Sequence, residues 1–210
     1  MSIHEVDADI VRSALRRQWI RIANAVPGLD LERPSRISGW RNAEVLAHLS
    51  VQPRLLMRFL DSATEAEPTM RLRDNLTGTH NLSAGIDHAA RKSAEAGQLD
   101  FADQINMVDT ALLRADMSAT VTTLQGPIRL SDYLRTRCIE AVVHGQDFQP
   151  PVSPDSTAQQ IAANALLTVL APNPTDLAIA RSLPQATFID IATGRIAPPP
   201  ELSHAMPLMR

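Results

Sequence analysis

Apolar residues recur at three- and four-residue spacing along most of the chain, and that spacing predicts helices. Ile10, Ala14, Leu15, Ile22 and Val26 mark a first helix that Asp7 or Asp9 can cap and that Pro27 and Gly28 stop. After a loop rich in Pro, Ser and Gly, a second helix starts near Arg41 or Asn42, its inner face formed by Val45, Leu49, Gln52, Leu56 and Phe59. Pro53 lies inside that pattern, lacks an N–H and predicts a kink. Residues 62–80 are polar, are interrupted by Pro68 and Gly78, and read as a long loop. A third helical region spans Ser83 to Asp116 with a break at Gly97 and Gln98; Ile105, Val108, Leu112 and Leu113 give its apolar side. The β-branched run Thr120 to Thr123, followed at once by Gly126 and Pro127, is read as loop rather than strand. Ser131 caps the next helix, which ends before Pro150 and Pro151. A further helix runs from about Thr157 to Leu170, and the remainder is a proline-punctuated tail in which ATFIDIATGR suits a short helix closed by Gly194 or a strand, with helix favoured. The pattern is that of an all-α fold.

One of these helices departs from the rule. At 3.6 residues per turn, Tyr133, Arg137, Glu140, His144 and Asp147 fall within about 80° of one another. Leu130, Leu134, Ala141 and Phe148 flank that face on one side, with Ile139 and Val143 on the other, so the polar stripe is expected to point inward. Two carboxylates, an imidazole and a guanidinium are costly to bury together unless they satisfy one another or bind something. Glu140 and His144, one turn apart, can reach a common cation between helices. His48, within the apolar run Val-Leu-Ala-His-Leu of the second helix, is the candidate third ligand. The same stripe also suits a metal-free network in which Arg137 pairs with Glu140 and Asp147, and His48 also suits the role of a core histidine. Two His and one carboxylate leave a coordination position open, the pattern of catalytic rather than structural zinc. Asp147 is then placed to orient an imidazole, and Arg137 to hold an anionic substrate or Glu140. His80 and His88, in or just after the long loop, read as surface histidines.

Composition narrows the chemistry. The 210 residues suffice for a full core, and a single cysteine, Cys138, excludes an internal disulfide or a cysteine-pair zinc site. On the wheel Cys138 lies about 120° from His144, so it is expected to face another helix or the surface. A net charge of -3 with interspersed signs gives no nucleic-acid footprint, and the arginines at 12, 16, 17 and 21 read as the solvated face of the first helix. The charged start lacks the apolar segment of a signal peptide and no apolar run is long enough to span a membrane, which leads to the expectation of a cytoplasmic chain with no membrane partner.

The pairing of SGWRNAEVLAHLS with RTRCIEAVVHGQDF resembles the mycothiol-dependent maleylpyruvate isomerase family, within the wider group of DinB-like four-helix bundles. In that family a Gly-Trp pair precedes the helix of the first histidine and an R-x-x-E-x-x-x-H-x-x-D pattern follows; here these are Gly39, Trp40, His48, Arg137, Glu140, His144 and Asp147. The resemblance implies a metal-binding bundle over residues 1–150 and a short, mostly helical appendage over 151–210 packed on it. It implies zinc held by His48, Glu140 and His144, with Arg137 and Asp147 as catalytic residues. Mycothiol is the implied thiol and a small electrophile the substrate, in an isomerase or an S-transferase. Family isomerases carry a fuller C-terminal α/β domain; the ending here is similar to that of members labelled sterol-carrier-like. The alternative is a non-catalytic metal-binding bundle that serves as a ligand- or partner-binding module.

Overall fold

The computed structural model describes residues 8–78 and 83–209, so the expectations for Asp7 and His80 lie outside the described residues. Four long helices form the bundle: α1 (Ala8–Ala25), α2 (Asn42–Leu60), α5 (Phe101–Leu112) and α6 (Leu130–Asp147). Each packs against two others, in the cycle α1, α6, α2, α5. Between α2 and α5 the chain forms α3 (Leu72–Thr77) and α4 (Ser83–Glu95), and α4 covers α2. After α6 come α7 (Ser156–Leu170), α8 (Pro174–Ser182) and α9 (Gln185–Ala192); α7 lies along α6 and α1, and the last two pack on α7. Leu15, Trp19, Ile22, Leu46, Leu49 and Leu56 are fully buried between the helices, Trp19 edge-on to Phe101 at 6.4 Å.

Four expectations are corrected. The run Thr120–Thr123 is a strand, β1, paired antiparallel with β2 (Gly126–Arg129). Val121 and Ile128 face each other across the ladder, both fully buried, and Gly126 supplies the positive φ of 135° that turns the chain. Burial of that pair, rather than length, makes the hairpin. Ser131 does not cap α6: the helix starts at Leu130, whose N–H donates to the Ala119 carbonyl while that of Ser131 donates to Met117, so backbone oxygens before β1 do the capping. The polar stretch after α2 contains α3, anchored by buried Leu72 and Leu76. The proline-punctuated tail contains α8, because Pro174 occupies the first helical turn behind the Asn173 cap, where its missing N–H costs nothing. The helix α2 runs unbroken through Pro53.

Three sets of contacts fix the helices that carry the polar stripe and His48. At the start of α2, the Asn42 amide donates to the carbonyls of Asp30 (2.8 Å) and Gln149 (2.9 Å), and the Gln149 N–H donates back to Asn42 at 3.0 Å. The first turn of α2 is thereby tied to the end of α6. Behind α6, the fully buried Gln18 donates to the Ala141 carbonyl at 3.2 Å and accepts from the Asp155 N–H at 2.7 Å, joining α1, α6 and α7. A Cβ on Gly145 would meet the same Gln18 amide at 3.0 Å, so the absence of a side chain there sets the approach of α6 to α1. Asp155 also caps α7, accepting from Thr157 at 3.1 Å and Ala158 at 3.0 Å, and pairs with Arg17 at 2.8 Å. Those contacts hold its carboxyl below the usual range against the opposing effect of burial, so its stabilisation is present at neutral pH and lost as pH falls through its folded pKa. Asp155→Ala is expected to lower unfolding free energy by about 2 kcal/mol at pH 7, read from urea denaturation; a change below about 0.5 kcal/mol would show that the cap and ion pair are dispensable.

Candidate metal centre

The inward direction of the polar stripe on α6 is as expected: Tyr133 and Asp147 are buried, and Arg137, Glu140 and His144 are partly so. His48 from α2 arrives opposite Glu140, its Nε2 donating to Oε2 at 2.9 Å. His144 Nε2 lies 3.4 Å from the same carboxylate oxygen, and the two imidazole rings meet edge-on at 4.7 Å. Ligand atoms of His48, Glu140 and His144 all fall within 4.8 Å of one another. Donors about 2.1 Å from a tetrahedral zinc lie about 3.4 Å apart; the set matches in type, and Glu140 stands at 2.9 and 3.4 Å from the two histidines. A further sign of fit is Gln52, one turn after His48. Its amide donates to Glu140 at 3.1 Å and lies 3.2 Å from His48 Nε2, while its carbonyl oxygen is buried without a partner. A buried orphan acceptor beside three converging ligand atoms is an environment that a cation, or water held by one, relieves.

Electrostatics separate the two histidines. Burial pulls His48 down from its ordinary value and outweighs the hydrogen bond to Glu140. Burial pulls on His144 too, yet its bonds to Asp147 and Glu140 carry it upward. Burial opposes ionisation of Glu140, but hydrogen bonds from His144 and His48 and the charge of Arg137 hold it well below the carboxylate range. The anionic carboxylate and neutral His48 are the forms in which both ligate metal.

Asp147 is fully buried and accepts from His144 Nδ1 at 2.9 Å, which leaves Nε2 directed at the cluster. Its other partner is Arg195, donating through Nη2 at 2.7 Å and Nε at 3.3 Å. The sequence reading missed Arg195, since nothing near it in the chain marks it. Gln52, in contrast, carried a signal as the one polar position in the apolar stripe of α2. Arg137 pairs with neither Glu140 nor Asp147 among the described residues. Its guanidinium lies 4.8 Å from the Tyr133 ring centroid and Nε donates to Thr136 at 3.2 Å. The ion-pair network expected as the metal-free alternative is therefore not the one the fold builds.

Arg137, His48, Gln52 and Glu140 also line a cavity of about 320 Å³. Its walls are Ala47, Val51, Leu55 and Phe59 of α2, residues of α4, and the hairpin tip Thr123–Gln125. His88 is exposed on α4, and the arginines at 16, 17 and 21 lie on the exposed side of α1. Cys138 is fully buried with its sulfur toward the Val11 carbonyl at 3.9 Å, on the α1 side of α6 and away from the cluster; burial pushes its thiol up to about 12. Cys138→Ser is accordingly expected to leave metal content unchanged, and a thiol reagent is expected to label the wild-type chain only after unfolding. Rapid labelling of the folded chain would overturn that placement.

The sequence pattern of the mycothiol maleylpyruvate isomerase N-terminal domain matches residues 12–149, a span that includes His48 and all five residues of the stripe. Among solved structures, the crystal structure of the mycothiol-dependent maleylpyruvate isomerase is similar at a TM-score of 0.58 and 17% identity, over 80% of this chain and 70% of that chain. A mutant of that enzyme with a histidine changed to alanine is similar at a TM-score of 0.57 and 15% identity, with the same coverage. At these identities the likeness is one of fold. No curated protein sequence matches the chain.

Proposed function

The chain belongs to the mycothiol maleylpyruvate isomerase N-terminal domain family, and on that premise we propose that it is a zinc-dependent enzyme that uses mycothiol to isomerise, or to transfer sulfur to, a small electrophile. The observation that carries the reading is the convergence of His48, Glu140 and His144, the first two lining the cavity, with Asp147 fixing one imidazole from behind. These three residues would hold the metal. Bound there, zinc supplies the Lewis acidity that keeps a thiol ionised near neutral pH.

The protein's own groups do the rest. Asp147 keeps His144 in the tautomer with a free Nε2 lone pair. The mostly apolar walls limit water, which strengthens charge interactions at the floor. Arg137 offers its guanidinium to an anionic group of the substrate. A thiolate sulfur that adds to an electron-poor double bond moves the π pair toward the adjacent carbonyl, and the remaining single bond rotates. Return of the pair expels the sulfur and completes isomerisation, whereas a proton taken up by the carbon between the carbonyl and the sulfur-bearing carbon completes transfer.

The test is a protein purified without chelators, assayed for metal and for mycothiol-dependent consumption of an α,β-unsaturated keto acid. About one zinc per chain with thiol-dependent turnover is expected. Zinc with mycothiol binding but no turnover would instead favour a binding module, the reading that a preformed apolar cavity also suits. Absence of stoichiometric divalent metal sinks both. Cobalt substitution refines the first outcome: a sulfur-to-cobalt band is expected only after thiol is added, and one present beforehand and lost in Cys138→Ser would mean that the protein supplies its own sulfur.

A further inference from the structure

We propose, building on the reading of this cavity as the substrate site, that the electrophile is a molecule with an extended apolar body and a single anionic end, bound with that end on Arg137. A compact dicarboxylate does not suit it.

The walls decide the first half. Val51, Leu55 and Phe59 form a row on α2, Ile86 and Ala90 face them from α4, and Leu124 closes the hairpin side. Leu124, 67% exposed, adds apolar surface to the lining on that side. The cavity of about 320 Å³ falls within the range of small-molecule sites. The polar lining groups away from the metal floor (Asn75, Thr123, Gln125 and Tyr133) are all neutral.

Charge decides the second half. The ionisable groups that line the space are His48, Glu140, Arg137 and the phenol of Tyr133, and the first two belong to the metal cluster. Arg137 is the cation left over, with no carboxylate partner among the described residues and its face held by Tyr133, which in turn packs on Phe59 at 5.4 Å. A second carboxylate in this space would lie against apolar walls without a counter-ion, a costly burial. One carboxylate on Arg137, with the rest of the molecule along the α2 and α4 walls, pairs the remaining cation and sets apolar surface against apolar surface.

The probes are butyrate, hexanoate and octanoate against maleate, titrated calorimetrically into the zinc-loaded full chain at pH 7.5. Affinity is expected to rise about threefold per methylene along the series, with octanoate at least tenfold tighter than maleate. Arg137→Gln should weaken octanoate about tenfold or more while binding of neutral octanol is unchanged. Ala89→Phe, a substitution at the exposed rim of the cavity, should weaken octanoate and octanol alike. Tighter binding of maleate, or a series flat in chain length, overturns the proposal. So does octanoate binding indifferent to Arg137→Gln, which places the carboxylate on the metal instead. Zinc content and the cobalt spectrum with thiol, measured on the same preparations, report on the enzymatic reading separately. A chain that binds octanoate as described but shows no thiol response retains this ligand class and loses the mycothiol chemistry.

Discussion

Replacing His144 with alanine is expected to lower zinc affinity by more than about 100-fold and to leave the chain folded. Loss of a residue that merely orients a ligand costs about 10 to 100-fold; loss of His144, one of three proposed ligands, is expected to cost more. The fold should survive because the packing of α6 depends on its other faces, where Leu134, Ile139, Ala141 and Val142 are fully or almost fully buried. His48→Ala is expected to behave alike, and His88→Ala, exposed on α4, should change nothing. Competition with a chromogenic chelator gives the affinities, and far-ultraviolet circular dichroism checks the fold. Wild-type affinity in both cluster variants would remove the metal from the site.

Asp147→Asn is expected to weaken zinc by about 10 to 100-fold and also to destabilise the metal-free chain. Burial works against ionisation of Asp147, yet hydrogen bonds from His144 and Arg195 lower it from the ordinary 3.8 to about 2. A carboxyl with a depressed folded pKa stabilises above its unfolded value and loses that contribution as pH falls through the folded one. The difference corresponds to about 2 kcal/mol at neutral pH, fading between about pH 4 and pH 2. Urea unfolding of metal-free protein should therefore separate Asp147→Asn from wild type at pH 7 and bring them together near pH 2. Arg195→Ala is expected to shift both quantities in the same direction by less, because His144 still holds the carboxylate. A variant with unchanged stability and zinc affinity would reduce Asp147 to a packing residue.

The bundle and the cluster were legible because both follow from helical periodicity. Glu140 and His144 are one turn apart, and the apolar flanks of their face dictate which way it points. His48 was legible for a related reason, as a polar residue inside an apolar run. Arg195 was not, since its partnership with Asp147 spans 48 residues and depends on how the tail returns across the end of α6. The hairpin was obscured by length: four-residue strands carry too little alternation to show, and the pairing is fixed by burial of Val121 against Ile128. The helix α8 was hidden by reading Pro174 as a breaker when the Asn173-Pro174 pair is a helix start. Arg137 was placed correctly on the inward face, but the wheel gave it two carboxylates as partners. The fold keeps it for the cavity, with Tyr133 beneath it.

One wall of the cavity comes from a different part of the chain than the candidate metal cluster. The three candidate ligands and the Asp147 behind them sit on α2 and α6, which Asn42 ties together at one end and Gln18 braces from the rear. The opposite wall, formed by α4 and the hairpin tip, contributes no ligand. On the proposed reading, part of the substrate wall is thus physically separable from the residues that would hold the metal. Residues such as Ile86, Ala89 and Leu124 can be exchanged for larger, smaller or charged ones without disturbing a ligand, so a single bundle can be retargeted to new electrophiles by remodelling one wall, a division of labour that lends the scaffold to diversification and to redesign.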